Sequence, residues 1–220
     1  MNESLIIFTR YPEPGKTKTR MIPALGAAGA AELQRQLSEH TIRTAQKLQE
    51  SRQIEIEIHF AGGDRDLMSS WLGNTHSYYP QASGDLGAKM QSAFAKAFER
   101  GKQRIVTIGI DCPDITPMIL NQAFDSLKSN ELVLGGAEDG GYYLIGLSKL
   151  VPELFQDINW GTDSVFATTK AIAQKLALSI GYLPVLADID RPEDLEIAQR
   201  HNLKFSRKKT PKVDSSDITK

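Results

Sequence analysis

Strand-length apolar runs alternate with helix-length stretches along most of this chain, and that order restricts the fold more than any single residue does. Leu5–Thr9 (LIIFT) is a short apolar run without alternation, the pattern of a strand buried on both faces. Residues 27–50 read as a helix, with Leu33, Leu37, Thr41, Ala45 and Leu48 along one side. Ile54–Phe60 (IEIEIHF) alternates strictly, so one face of that strand is expected to be wetter than the other. A helix over Leu86–Phe98, a buried strand over Ile105–Ile110 and a helix from Thr116 to about Lys128 follow. Thr116 supplies an N-cap hydroxyl there, and Pro117 suits the first turn. Strands at Leu132–Gly136 and Tyr142–Leu147, a helix over Ser164–Leu178, a buried strand over Ile180–Leu186 and a short helix from Pro192 complete the series. This order predicts an α/β fold of three layers, α/β/α, on a mostly parallel sheet. At 220 residues the chain suits a single domain, residues 1–205, followed by a flexible basic tail over 206–220.

The net charge of −1 hides a strong pattern. Residues 1–104 carry 14 basic and 11 acidic groups, 105–194 carry 5 and 13, and 195–220 carry 7 and 3. A near-neutral total excludes a nucleic-acid binder that relies on bulk positive charge. No apolar run approaches the ~20 residues of a membrane span, and the N-terminus lacks the features of a signal peptide. The single cysteine, Cys112, has no internal disulfide partner, which fits a cytoplasmic location. The four histidines lie far apart, and none stands at zinc-ligand spacing from Cys or another His.

In open α/β sheets ligands bind beyond the carboxyl ends of the strands. The first strand is followed by Arg10-Tyr-Pro-Glu-Pro-Gly15-Lys16-Thr-Lys18-Thr-Arg20, four cations within eleven residues. Such a loop suits a phosphate or diphosphate. The GKT at 15–17 is not a P-loop, because that motif needs glycine where Arg10 stands. Asp111-Cys112-Pro113-Asp114 places two carboxylates after another strand, hard oxygen ligands of the kind Mg²⁺ or Mn²⁺ takes together with substrate phosphates. Cys112 reads as a packing residue, since acidic surroundings raise a thiol pKa. Glu138-Asp139-Gly140-Gly141 suits a hairpin turn. In Gly84-Asp85-Leu86-Gly87, Asp85 reads as an N-cap, as does Thr162 in Trp160-Gly161-Thr162-Asp163. Asp190 and Glu193 have the spacing of a capping box, although Asp190 also follows a strand.

Six motifs in order, YPEPGKTKTR, GDLGAKM, IGIDCPD, AEDGGYYLIGL, WGTDSV and DIDRPEDL, cover roughly residues 5–196. In them the chain resembles the bacterial "transferase 1" family of glycosyltransferase-A fold, found in radical-SAM/selenocysteine-type gene neighbourhoods. That family is related to the nucleotidyltransferases that make molybdenum-cofactor dinucleotides, phospholactate guanylyl conjugates and CMP-sugars. The resemblance implies a Rossmann-like nucleotide-diphospho-sugar transferase (GT-A) fold. It implies that Arg10, Gly15, Lys16, Arg20, Gly84, Asp85 and Gly87 bind the nucleotide. Asp111 and Asp190 would hold Mg²⁺ or Mn²⁺. Glu138, Asp139, Gly140, Gly141, Trp160 and Asp163 would line the acceptor side, and Lys16, Arg20 and Asp139 would be catalytic. Ile110 stands where the family often has a small polar residue, which makes the approach to Asp111 drier.

The expected activity is a metal-dependent glycosyltransferase that uses a nucleotide-diphospho-sugar and an acceptor of unspecified structure. Two alternatives are a nucleotidyltransferase that releases pyrophosphate from an NTP and a non-catalytic nucleotide-binding protein. The same clamp of cations and metal serves either departing group, so the clamp does not choose between the two reactions.

Overall fold

The computed structural model describes residues 1–203. Seven strands form one sheet: β1 (Glu3–Arg10), β2 (Glu55–Ala61), β3 (Ser77–Pro80), β4 (Arg104–Ile108), β5 (Leu132–Ala137), β6 (Tyr142–Leu147) and β7 (Ile180–Leu186). Their spatial order is β3-β2-β1-β4-β6-β5-β7. Only β6 runs against its neighbours β4 and β5, and the remaining pairings are parallel. Helices α1 (Ile22–Gln49), α2 (Arg65–Leu72), α3 (Leu86–Glu99), α4 (Pro117–Ser126), α5 (Val165–Lys175) and α6 (Leu195–Arg200) cover both faces.

Alternation along β1 explains the two cores. Leu5 and Ile7 pack with α1, α4 and α6 residues such as Leu33, Phe124 and Leu195. Ile6, one residue out of phase, packs on the other face with Phe94 of α3 and Ala173 of α5. All three are fully buried, as the unalternating run requires. The expected α/β/α architecture is therefore present.

Chain direction also locates the site. From β1 the chain moves outward to β2 and β3, then returns through α3 to β4 on the other side of β1. The connections leave β1 and β4 in opposite directions, opening a crevice at their carboxyl ends. Arg10 stands at the end of β1, and Asp111 follows β4 by three residues.

Several boundaries differ from the sequence reading. The first helix begins at Ile22, five residues before the expected start, and bends at Gly26. The last two residues of the expected 105–110 strand lie beyond β4, and α5 stops at Lys175. Elements α2 and β3 escaped sequence reading because they are short and bury little, Met68 alone in α2. The expectation of a wetter face on β2 is overturned. Glu57 and His59 are buried, and Glu57 accepts from Ser4 and Arg100 and meets His59 Nε2 at 3.2 Å. Alternation of polar and apolar residues here marks an internal ion cluster. Strand β7 is an edge strand and not a buried one, with Tyr182 and Val185 exposed. The expectation for residues 206–220 lies outside the described residues.

Candidate active site

The loop after β1 turns one cation inward. Lys18 adopts a left-handed backbone (φ 45°, ψ 45°), a costly state for a residue with a side chain. Its side chain is 5% exposed. The ammonium lies 2.8 Å from Asp111 Oδ1 and donates to the carbonyl of Ile189. Lys18 thus ties together the β1 loop, the turn after β4 and the segment after β7. The sequence marked Lys18 only as one of four cations, because its inward direction depends on this backbone conformation. The other cations face outward. Lys16 pairs with Glu13 at 2.7 Å, and Arg20 pairs with Asp190.

A cavity of about 360 Å³ lies beside this loop, lined by Arg10, Lys16, Lys18, Arg20, Lys89, Asp111 and Asp190 among others. Nothing in the local sequence marks Lys89 on α3 as a cavity residue. It sits inside the GDLGAKM motif, four residues after the helix cap, and only the rotation of α3 shows that it reaches the cavity. Leu86, Asp111 and Ile110 also face this space, and Ile110 is buried at its wall.

A second cavity, of about 230 Å³, shares Leu86 and Asp111 with the first. Its walls include Tyr142, Tyr143, Trp160 and Val165, and its polar side chains include Asp139, Asp188 and Thr162. Asp139 accepts from Gly141 N at 2.8 Å. A third space, about 260 Å³, lies between the two, with Glu138, Asp139, Asp188, Asp190, Arg20 and Arg191 along it. The two halves of the site therefore meet at Asp111.

The segment after β7 serves both halves. Ile189 is fully buried, and its N–H donates to the Asp111 carbonyl at 2.8 Å. Asp188 and Asp190 flank it and line different cavities, the second and the first respectively. Burial raises the Asp188 pKa to about 6, with Asp139 and Asp111 adding to the rise. Burial and the same three carboxylates push the Cys112 thiol well up, consistent with a packing role.

The sequence-predicted residues divide accordingly. Arg10, Lys16, Arg20, Asp111 and Asp190 line the first cavity, and Asp139, Gly141 and Trp160 line the second. Asp190 and Asp111 share a cavity, but the Asp190 carboxylate rests on Arg20. The capping box at Asp190 and Glu193 does not form. Asp194 instead accepts from the backbone of Asp190 and Arg191, at 2.9 and 2.6 Å. Asp85 caps α3 through Ala88 N at 2.8 Å, and Thr116 caps α4 through Ile119 N at 3.2 Å. Thr162 does not cap α5, because its hydroxyl bonds Asn159 O and Ser164 Oγ instead.

Gly15, Gly84 and Asp85 lie off the cavities, in the turn after β1 and at the start of α3. Gly87 is packed against Trp160: a Cβ there would stand 2.6 Å from Trp160 Nε1 and 2.4 Å from Phe155 O. Gly140 turns the expected hairpin with φ 87°, and its Cβ position lies 2.1 Å from Asp163 O. Phe166 N also donates to Gly140 O at 2.9 Å. The EDGG and WGTD motifs are thus one packed unit, and Asp163 contributes backbone to it rather than cavity lining.

The donor set bears on a metal. Among the described residues no three Asp, Glu, His or Cys side chains form a group able to hold a metal ion alone. Asp111 Oδ1 is shielded from solvent and held by the Lys18 ammonium, while the side chain as a whole is 46% exposed and lines the cation-lined cavity. One or two carboxylates with room for phosphate oxygens fit Mg²⁺ or Mn²⁺ better than a closed protein cage.

Comparison with known proteins bears on the family and the fold. The family model described as "Uncharacterized protein conserved in bacteria (DUF2064)" matches residues 44–162. The chain belongs to DUF2064. A search of the curated proteins found no match. This DUF2064 chain is similar to a solved structure from Desulfovibrio desulfuricans G20, provisionally assigned as a nucleotide-diphospho-sugar transferase. The two are 33% identical over 91% of this chain and 87% of that one, with a TM-score of 0.84. The fold is also that of 4-diphosphocytidyl-2C-methyl-D-erythritol synthase from Anaerococcus prevotii DSM 20548, at 14% identity over 92% and 96%, TM-score 0.62. It is shared too by Rv0371C of Mycobacterium tuberculosis H37Rv, solved in complex with manganese, at 15% identity over 90% and 97%, TM-score 0.55. The DUF2064 chain therefore has the nucleotide-diphospho-sugar transferase fold. None of its described helices is long and apolar enough to cross a membrane.

Proposed function

We propose that the chain is a metal-dependent glycosyltransferase that takes a nucleotide-diphospho-sugar in the first cavity and an acceptor in the second. The observation that carries this reading is the meeting of a cation-lined cavity and an aromatic, acidic one at a single carboxylate, Asp111. The similarity to the Desulfovibrio protein supports the donor class. The six ordered motifs support the finer placement among the radical-SAM-associated transferases related to the molybdenum-cofactor and phospholactate nucleotidyltransferases. The low cysteine count supports a cytoplasmic location.

The donor's diphosphate is neutralised by Arg10, Lys16, Arg20 and Lys89. Asp111 and Asp190 would hold Mg²⁺ or Mn²⁺, which when bound supplies electrostatic stabilisation of the departing diphosphate. Arg20 and Asp190 neutralise each other before the donor arrives. Opening that pair gives the guanidinium to phosphate and the carboxylate to the cation, so no charge is left unpaired. Lys18 fixes Asp111 from behind. Trp160 and Tyr142 wall the second cavity and exclude water from the reacting centre. Asp139, on the acceptor side and outside the cation pair, accepts the proton of the attacking group.

The fold shared with a diphosphocytidyl synthase favours nucleotidyl transfer as the second reading. Phosphorus NMR separates the two. The protein is incubated with Mg²⁺ or Mn²⁺, UDP-, GDP- and ADP-sugars or NTPs, and an acceptor panel. Glycosyl transfer releases a nucleoside diphosphate. Pyrophosphate without nucleoside diphosphate overturns the primary reading and establishes the second. Tight nucleotide binding with no turnover across the panel supports the non-catalytic binding role.

A further inference from the structure

Resting on that reading of the second cavity as the acceptor site, we infer that the acceptor is a hydroxyl or amine compound that carries no phosphate or carboxylate. The cavity is bounded by Trp160, Tyr142 and Tyr143, with Leu86 and Val165 between them. Trp160 meets Tyr142 edge to face, with ring centroids 6.3 Å apart. Gly87 lets α3 close against the indole, so this aromatic wall is held firmly. Walls of this kind receive the apolar face of a ring.

Charge decides which ring. Asp111, Asp139 and Asp188 all line the cavity, and among the described residues no Lys, Arg or His side chain does. The ammonium of Lys18 reaches Asp111 from the side of the first cavity, while Asp139 and Asp188 have no ion-pair partner among the described residues. The adjoining space between Glu138 and Asp194 contains Arg20 and Arg191, but five carboxylates outnumber them there, and Arg20 is already paired with Asp190. A phosphate monoester placed against the aromatic wall would face like charges in a partly dry site, where each contact costs far more than in water. A divalent cation does not reverse this. It arrives with the negative phosphates of the donor, so the pair brings no surplus positive charge. A hydroxyl or amine meets the same carboxylates as hydrogen-bond donor to acceptor.

The charge of the second cavity separates the two reactions further. Coupling an NTP to a phosphate monoester requires cations around the incoming phosphate, and among the described residues none lines the second cavity. Transfer to an uncharged or cationic alcohol or amine requires acceptors, and Asp139 and Asp188 supply them.

Trp160 reports on the cavity directly. The chain has two tryptophans, and Trp71 lies elsewhere, on α2, bonded to Glu39. In W71F protein treated with chelator, Trp160 fluorescence is quenched with caesium, iodide and acrylamide, each normalised to a free tryptophan amide. The expected result is a caesium-to-iodide quenching ratio raised at least about fivefold, from enrichment of cations by the carboxylates. D139N and D188N together lower the ratio towards that of the free amide, Asp111 keeping part of the enrichment. Iodide quenching as efficient as caesium quenching in the W71F parent overturns the inference, whether or not the double variant folds. That failure leaves the donor site untouched, whereas absence of turnover by phosphorus NMR removes the proposed reaction and leaves the charge of the cavity as measured.

Discussion

Asp188→Asn should make the protein more stable, and the gain should depend on pH in a defined direction. Asp188 is partly buried beside Asp139 and Asp111, and its pKa is raised from 3.8 to about 6. A carboxyl whose folded pKa lies above its unfolded value keeps its proton longer in the native state. Stability therefore falls as pH rises from 3.8 towards 6, and the full penalty is present above 6. A shift of this size corresponds to ~3 kcal/mol, which solvent screening at a partly exposed group reduces to about 1–2 kcal/mol. Asparagine has nearly the shape of the protonated acid and carries no charge. Urea titrations with chelator present should show Asp188→Asn more stable by about 1–2 kcal/mol at pH 7.5, with only about a third of that gain at pH 4.5. A gain independent of pH, or a loss at pH 7.5, would refute the crowding of these carboxylates.

Two further variants probe the scaffold. Gly87→Ala drives a methyl group into Phe155 O and the Trp160 indole, so it should cost about 1–3 kcal/mol and shift Trp160 emission; unchanged melting and emission would contradict the close packing. Lys18→Met removes the ammonium that pairs Asp111 and caps the Ile189 carbonyl, at a cost of about 1–2 kcal/mol in metal-free protein. Added Mn²⁺ should recover part of that loss by taking the ammonium's place beside Asp111, as thermal melting would show.

Much of the architecture is legible in the residues because it rests on local patterns. Leu5, Ile6 and Ile7 announce a strand buried on both faces, and the β-α order announces the parallel sheet. The carboxyl-end rule then leads to Arg10 and Asp111 without a structure. What stays hidden depends on contacts between distant segments. Nothing near Gly87 in sequence predicts Trp160 as its neighbour, and nothing near Glu57 predicts that Arg100 will bury its charge. The direction of Lys18 is set by one left-handed backbone turn, and that of Lys89 by the rotation of α3. Asp188 and Asp190 look equivalent as letters. The buried Ile189 between them sends one to each cavity.

The central claim is that nucleotide and cation bind together around Asp111 in the cation-lined cavity. Titration calorimetry with UDP, GDP, CDP and ADP, each with Mn²⁺ and with chelator, tests it most directly. At least one nucleotide should bind the native protein about tenfold or more tightly with Mn²⁺, and Asp111→Asn should abolish that dependence while the protein stays folded, its melting temperature lowered by loss of the Lys18 ion pair. Equal affinity with and without Mn²⁺, or an Asp111→Asn protein that retains the full metal effect, would contradict the account.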